Sequence, residues 1–309
     1  MRVISSDQVH QTLSFKSVIN ELQQGFAKPA GTPPRHVYPL AESSADAFAV
    51  LPAWNDEFIG VKAFTYFPNN ASEGYDSLYS KIMLFERCHG VPLALIDGTS
   101  VTLWRTASVS ALASQYLSRR DAKHLVFFGT GKLAPYMIKA HLAVRDLNKV
   151  TVIARNSTKA AKLIERLRAE CPDVEFVIGQ SNEITIASAD IVSCATGSHV
   201  PLFDGSWLKE GAHVDLIGNH HADCSECDIA TITRATVFVD SKVNVLKEAG
   251  ELLIPIAQGV FNANNVVAEL SEMHNMTWQR QSHEITVFKS VGMALSDLIT
   301  ASLVYRLNS

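Results

Sequence analysis

Apolar and polar positions along this chain change period repeatedly, and each change marks an element. After a strand-like start, residues 15–22 repeat at helical spacing behind Ser14, a residue type that caps helix N-termini. Residues 29–34 form a loop, because Gly31, Pro33 and Pro34 exclude regular structure, and the loop delivers Arg35. Alternation returns over 47–51 and 58–66, two predicted strands, the second closed by a turn at Phe67-Pro-Asn-Asn70. Lys62 stands between Val61 and Ala63 in that apolar strand, and a lysine so placed needs an anionic partner. Residues 81–85 and 92–97 read as a hairpin around Cys88-His89-Gly90. A long helix is expected from about 102 to 117. Its start is crowded with Ala107, Ser108, Ser110, Ala111 and Ala113, as close packing requires. Trp54, Phe64, Tyr66 and Trp104 could line a substrate pocket, but the expectation is that they lie in the core.

The pattern then becomes more specific. A short apolar run at 125–128 leads into Gly129-Thr-Gly131-Lys-Leu-Ala134, a helix-period segment at 133–144, and a β-branched run at 150–153. Strand, glycine turn, helix, strand is the first half of a dinucleotide-binding fold. Gly129 permits the tight turn, Gly131 lets backbone approach a pyrophosphate, and Ala134 keeps helix and strand close. The helix N-terminus offers unpaired N–H groups and partial positive charge to phosphates. After the second strand an NAD site usually carries a carboxylate for the ribose. This chain has Ala154-Arg155-Asn156-Ser157-Thr158-Lys159 instead. A guanidinium with nearby hydroxyls suits a 2′-phosphate, so NADP(H) is favoured and NAD(H) stays open. Ser157 or Thr158 is expected to cap the helix that follows.

Further strands are predicted at 175–178, at 189–197 ending in Thr196-Gly197-Ser198, at 212–218 and at 236–240. Residues 285–292 lead into a final helix at 294–305, whose Leu295, Leu298, Ile299, Leu303 and Val304 share a face. Repeated strand–helix alternation predicts an α/β fold with a doubly wound parallel sheet.

Length and charge narrow the picture. At 309 residues the chain is expected to form two domains. A net charge of −4 without basic runs gives no support for nucleic-acid binding. No apolar stretch reaches the ~18 residues of a membrane span, and Met1-Arg-Val-Ile-Ser-Ser lacks a signal peptide's apolar core. Five scattered cysteines read as reduced. A soluble cytoplasmic protein without membrane or nucleic-acid partners is expected.

Pro33-Pro-Arg35, Val61-Lys62, Arg105-Thr106-Ala107, Gly129-Thr-Gly131 and Phe288-Lys-Ser-Val-Gly292 together resemble the ornithine cyclodeaminase/mu-crystallin family over nearly the whole chain. The resemblance implies a Rossmann-type dinucleotide domain, residues 119–292, inserted in an α+β substrate-binding and dimerisation domain, residues 1–118 with 293–309. A homodimer is implied as well. Carried over by position, Arg35, Lys62 and Arg105 would hold a substrate carboxylate. The cofactor would be lined by Thr106, Gly129, Thr130, Gly131, Lys132, Leu133, Arg155, Asn156, Ser157, Ala195, Thr196, Gly218 and Ser290. Three cations from separate segments suit an α-imino or α-keto carboxylate, and their pull makes its C=N carbon a better hydride acceptor.

Two departures bear on the reaction. Cyclodeaminases of the family carry a glutamate where this chain has about Ala49, and an aspartate where it reads Gly218-Asn-His220-His221. Neither a methyl group nor an imidazole steers a cationic amine. The expectation is therefore the family's reductase chemistry: NAD(P)H-dependent reduction of Δ1-pyrroline-2-carboxylate to L-proline, and of Δ1-piperideine-2-carboxylate to L-pipecolate. The partner is then a small cyclic imino acid. Lys62 and His220 are the candidate catalytic residues, with His220 a proton donor suited to neutral pH. The alternatives are ornithine cyclisation to proline and ammonia with NAD recycled, an open-chain amino-acid dehydrogenase, and a non-catalytic binder of NADP or a small ligand. Cys224-Ser-Glu226-Cys227 beside two histidines has a zinc-like spacing. A second C-x-x-C is missing, however, and Glu226 fits an acidic position of the family pattern, so no metal is expected.

Overall fold

The structure, a computed structural model, describes residues 1–309 except for the side chain of Ala71. The chain divides into two compact units, Met1–Thr106 with Met293–Ser309, and Ala107–Gly292.

The first unit opens with β1 (Arg2–Ile4), α1 (Ser6–Thr12) and α2 (Phe15–Phe26), followed by β2 (His36–Pro39), β3 (Ala47–Trp54), β4 (Phe58–Tyr66), β5 (Leu78–Glu86) and β6 (Pro92–Asp97). Ser14 caps α2 as expected, by accepting the Ser17 N–H. Ser5 and Gln8 form a capping box for α1, a helix too short to show in the apolar period. The six strands pair in the order β1-β6-β5-β4-β3-β2, antiparallel throughout except for the parallel β1–β6 pair. Leu51 pairs with Lys62 and Ala49 with Phe64. Strict alternation then puts Ala49, Leu51 and Lys62 on one buried face. After β6 the helix α3 (Gly98–Leu117) carries the chain across the division between the units.

Four aromatic residues depart from expectation. Trp54 and Tyr66 are exposed, and Phe64 and Trp104 are only half-buried. Trp54 ends its strand against Gly31, where an added Cβ would lie 2.1 Å from the indole. The ring of Trp104 packs on Phe15, and its Nε1 donates to His10 Nδ1 at 3.0 Å. A Trp or Tyr ring has a polar end and can stay partly in solvent, as Trp54, Tyr66 and Trp104 do.

The second unit continues from α3 through β7 (His124–Phe128), α4 (Ala134–Val144), β8 (Lys149–Ile153), α5 (Ser157–Glu170), β9 (Glu175–Ile178), α6 (Glu183–Ser188), β10 (Ile191–Cys194) and β11 (His213–Leu216). It ends with α7 (Ile229–Thr233), β12 (Thr236–Val239), α8 (Lys242–Glu248), α9 (Gly250–Ala257), β13 (Val266–Glu269) and β14 (Thr286–Lys289). The eight strands run β13-β12-β14-β11-β10-β7-β8-β9, and every pair is parallel. This is the doubly wound sheet the alternation predicts. The winding reverses between β7 and β10, so the switch point lies beyond their carboxyl ends. Both faces are covered, so the central strands are buried along their length, including Ser193 on β10 and His213 and Asp215 on β11. The elements α8, α9 and β13 escape a sequence reading because they are short and α9 carries Pro255 within it. The buried Arg145 donates to the carbonyls of Ser114, Gln115 and Ser118, holding the open end of α3 with a cation.

The final helix α10 (Ala294–Leu307) returns to the first unit and packs on α2, β3, β4 and β5. It is buried without a break from Ala294 to Val304, so its apolar positions surround the helix rather than form a single stripe. Among the described residues no helix is long and apolar enough to cross a membrane.

Candidate active site

In the first unit, three of the predicted residues come together. Lys62 on β4 places Nζ 2.7 Å from Oδ2 of Asp297 on α10. Arg105 on α3 donates from Nε to the other oxygen, Oδ1, at 2.9 Å. All three side chains are buried. Lys62 also donates to Thr102 Oγ1 at 3.5 Å, and the charge of Arg35 is close enough to act on it. Burial, helped by the Arg105 and Arg35 charges, lowers the Lys62 ammonium to about 8 against the pull of Asp297. Burial would raise the Asp297 carboxyl, but Arg105 and Lys62 together hold it below the usual aspartate value.

The sequence reading expects an anionic partner for Lys62 and finds it only in a substrate. The resident anion is Asp297. Its signal was an acidic residue inside an otherwise apolar helix, where an unpaired charge is not tolerated. Arg105 spends Nε–H on Asp297, and its paired Nη edge remains for a planar anion. Ala49, at the position of the cyclodeaminase glutamate, is wholly buried opposite Phe64.

Thr106, next to Arg105, is also buried in the first unit. The remaining predicted cofactor residues lie in the second. Gly129 ends β7 with φ +127°, a conformation L side chains rarely adopt, and an added Cβ would lie 2.8 Å from the Ala195 oxygen. Gly131 meets nothing within 4 Å, so the space beside it is open. Thr130 is half-buried, Lys132 is exposed, and Leu133 occupies the cap position of α4 without a side-chain cap. Ala134 is buried and donates its N–H to Gly131 O. These turns gather at the switch point.

Arg155, Asn156 and Ser157 are exposed beyond β8. The cap of α5 is Asn156, which accepts the Lys159 N–H at 2.9 Å; Ser157 is the first helical residue. That corrects the expected Ser157 or Thr158 cap.

Beyond β10 and β11, Thr196 and Gly218 are tied together by Glu226. Its Oε1 accepts from Thr196 N at 2.7 Å and Thr196 Oγ1 at 2.8 Å, and its Oε2 accepts from Gly218 N at 2.7 Å. Burial raises the Glu226 carboxyl, while the Lys289 charge and the Thr196 bonds act the other way. Beyond β14, Ser290 donates to Asp240 Oδ2 at 2.7 Å, and the N–H groups of Val291 and Gly292 converge on the same oxygen. Sequence reasoning missed Asp240 and the structural role of Glu226.

His220 is exposed, its ring stacked on His221 with centroids 5.6 Å apart. The cysteines downstream face inward. Cys224 Sγ lies 3.3 Å from His199 Nδ1, and Cys227 joins the apolar core of the unit.

Comparison with known proteins places the whole chain. From residue 2 to residue 308 the chain matches the ornithine cyclodeaminase/mu-crystallin family. It is 53% identical over 310 residues to Δ1-pyrroline-2-carboxylate reductase of Colwellia psychrerythraea, covering 98% of each chain. The reductase of the same name from Paracoccus denitrificans is 35% identical over 306 residues, 95% of this chain and 93% of that one. The solved Δ1-pyrroline-2-carboxylate reductase of Thermococcus litoralis, in complex with NADH and L-proline, superposes with a TM-score of 0.94. It is 31% identical, over 99% of this chain and 97% of that one. A likeness that runs end to end leaves one conclusion: the chain belongs to the ornithine cyclodeaminase/mu-crystallin family.

Proposed function

We propose that this protein is a Δ1-pyrroline-2-carboxylate reductase, an oxidoreductase acting on a cyclic C=N bond to give L-proline. The observation that carries the reading is the buried cation group of the first unit, in a chain similar end to end to several proteins that bear that name. Arg105 offers its Nη edge to the substrate carboxylate, with Lys62 and Arg35 adding charge. Fixing that carboxylate among cations draws electron density from the adjacent imine carbon. When bound, NADH or NADPH supplies the hydride that this carbon accepts.

The ring nitrogen must carry a proton as the hydride arrives. Lys62, lowered to about 8, remains mainly protonated at neutral pH and can hold or return one. His220 is the second candidate donor, by residue type and exposure. Ala49 argues against ornithine cyclisation, since a buried methyl group offers nothing to a distal ammonium. The six-membered Δ1-piperideine-2-carboxylate is a further substrate of this reading, because one methylene separates the rings by only ~1–3 kcal/mol.

The dinucleotide is proposed to lie along Gly129, Thr130, Gly131, Lys132 and Leu133, with Ala195, Thr196, Gly218, Ser290 and Thr106. Arg155 and Ser157 support the use of NADPH. Asn156 is committed to its helix cap, and no carboxylate stands there to repel a 2′-phosphate. The first unit is read as the substrate and dimerisation domain. Its strand β2 is exposed throughout, and Tyr38 and Phe48, paired across β2 and β3, give with Leu40 an exposed apolar patch suited to a second copy. Five free cysteines support a reducing, cytoplasmic setting.

The test follows NADH and NADPH oxidation with Δ1-pyrroline-2-carboxylate, beside ammonia release from ornithine with NAD. Stoichiometric dinucleotide oxidation with the imine and no ammonia from ornithine is expected. Ammonia release without net reduction of NAD would make the protein a cyclodeaminase.

A further inference from the structure

Glu226 is wholly inaccessible to solvent, yet it holds two turns read above as the cofactor's. A carboxylate can only accept hydrogen bonds, and three donors aim at this one: Thr196 N–H, Thr196 Oγ–H and Gly218 N–H. The residue is anchored from behind. Its own N–H donates to Glu251 Oε1 at 3.1 Å, and Glu251 Oε2 lies 2.9 Å from Lys289 Nζ. Lys289 in turn donates to the Asn219 carbonyl at 2.6 Å, beside Gly218. Glu251 and Lys289 are as buried as Glu226.

Two consequences follow. The turns after β10 and β11 are held at a single, very close spacing; an added Cβ on Gly218 would lie 2.0 Å from Thr196 O and 2.2 Å from Thr196 N. The hydroxyl of Thr196 also loses its freedom. Its one proton is committed to Glu226, and one lone pair receives the Ser198 N–H at 3.2 Å. What it can still offer a ligand is an acceptor.

We propose that Glu226 is a positioning residue for the dinucleotide, fixing the Thr196 and Gly218 turns and presenting the Thr196 hydroxyl to the cofactor as an acceptor. The proposal rests on the reading that these turns line the cofactor. It makes glutamine a poor substitute despite its matching shape. Whichever way the amide turns, its NH2 meets either the Thr196 donors or the Gly218 N–H, and a buried donor loses its partner.

The experiment measures NADH binding by fluorescence for the wild-type chain, Glu226→Gln, Thr196→Val and the double variant, with thermal melting and steady-state kinetics on each. A loss of about 10- to 100-fold in NADH affinity is expected for Glu226→Gln, the range of one or two charge-assisted bonds. KM for NADH should rise more than KM for the imine. The double variant should lose clearly less than the two single losses combined, because both changes act in part through one hydroxyl. Wild-type affinity in Glu226→Gln, or losses that simply add in the double variant, would overturn the proposal. Should Glu226→Gln fail to fold, Thr196→Val decides. A loss with an unshifted melting temperature supports the proposal, and unchanged affinity overturns it. Failure of the wild-type chain to bind either dinucleotide would instead remove the cofactor reading, and this proposal with it.

Discussion

Lys62 and Asp297 form a buried ion pair, Nζ to Oδ2 at 2.7 Å, with side chains 5% and 3% exposed. One lies in the middle of a sheet and the other on the last helix, so the pair ties together two elements from opposite ends of the sequence. Because Arg105 shares the same carboxylate, Asp297 sets both the proton affinity of the lysine and the direction of the guanidinium.

Replacing Asp297 with Asn is therefore expected to move a pH limb. Asp297 raises the Lys62 pKa against burial, so its loss lowers that value below about 8. In the wild type kcat/KM should fall as pH rises through about 8; in Asp297→Asn the fall should begin at lower pH. Superimposable profiles would show that Lys62 is not the titrating group. Stability should drop by ~3–5 kcal/mol in denaturant, the usual cost of stranding one buried partner. The wild-type carboxyl titrates below 3.8 when folded, so its stabilisation is present above about pH 4 and lost as pH falls through the folded value. For Lys62 the sign is opposite. Between about 8 and 10.5 the unfolded lysine binds more protons, and stability from this group rises with pH.

Two glycines separate packing from ligand approach. Gly131→Ala adds a methyl to open space and should leave stability within ~0.5 kcal/mol, as for a neutral surface change. It should still raise KM for the dinucleotide if phosphate approaches that backbone. Gly218→Ala puts a Cβ 2.0 Å from a backbone oxygen and should fail to fold or melt far below the wild type. Melting curves that rank the two variants in the reverse order would contradict this packing.

Arg155→Ala should discriminate between cofactors. Loss of a guanidinium–phosphate contact costs about 1.5–3 kcal/mol, so kcat/KM with NADPH should drop roughly 10- to 100-fold. The value with NADH should hardly change. Equal effects on both would place Arg155 outside the 2′ position.

His220→Ala tests the proton. A general acid contributes about 10²- to 10⁴-fold, and removing it should lower kcat by that order while KM for the imine changes little. Unchanged turnover across pH would leave Lys62 as the proton's source.

Much of the architecture was legible because it depends on local periodicity. The glycine turn at 129–131, the strands before and after its helix and the parallel character of the sheet follow from short apolar runs separated by helix-length segments. Strand β9, Glu175–Ile178, and strand β4, Phe58–Tyr66, coincide with their predicted limits because polar or turn residues bound them sharply. Helices α8 and α9 and strand β13 were not legible, being too short to establish a period. The aromatic residues misled for a related reason: ring size implies burial, but a strand end such as Trp54 has only one side covered.

By itself the sequence determined the fold class and the glycine turn at 129–131, since these are carried by residue type and by spacing along the chain, and its resemblance to the family singled out the cations Arg35, Lys62 and Arg105. Only the tertiary structure decided which anion each buried charge meets. Asp297 reaches Lys62 and Arg105 from the far end of the sequence, and Glu226 binds Thr196 and Gly218 across two strand ends. Desolvation requires that each such charge have a partner, but it does not say where along the chain that partner lies.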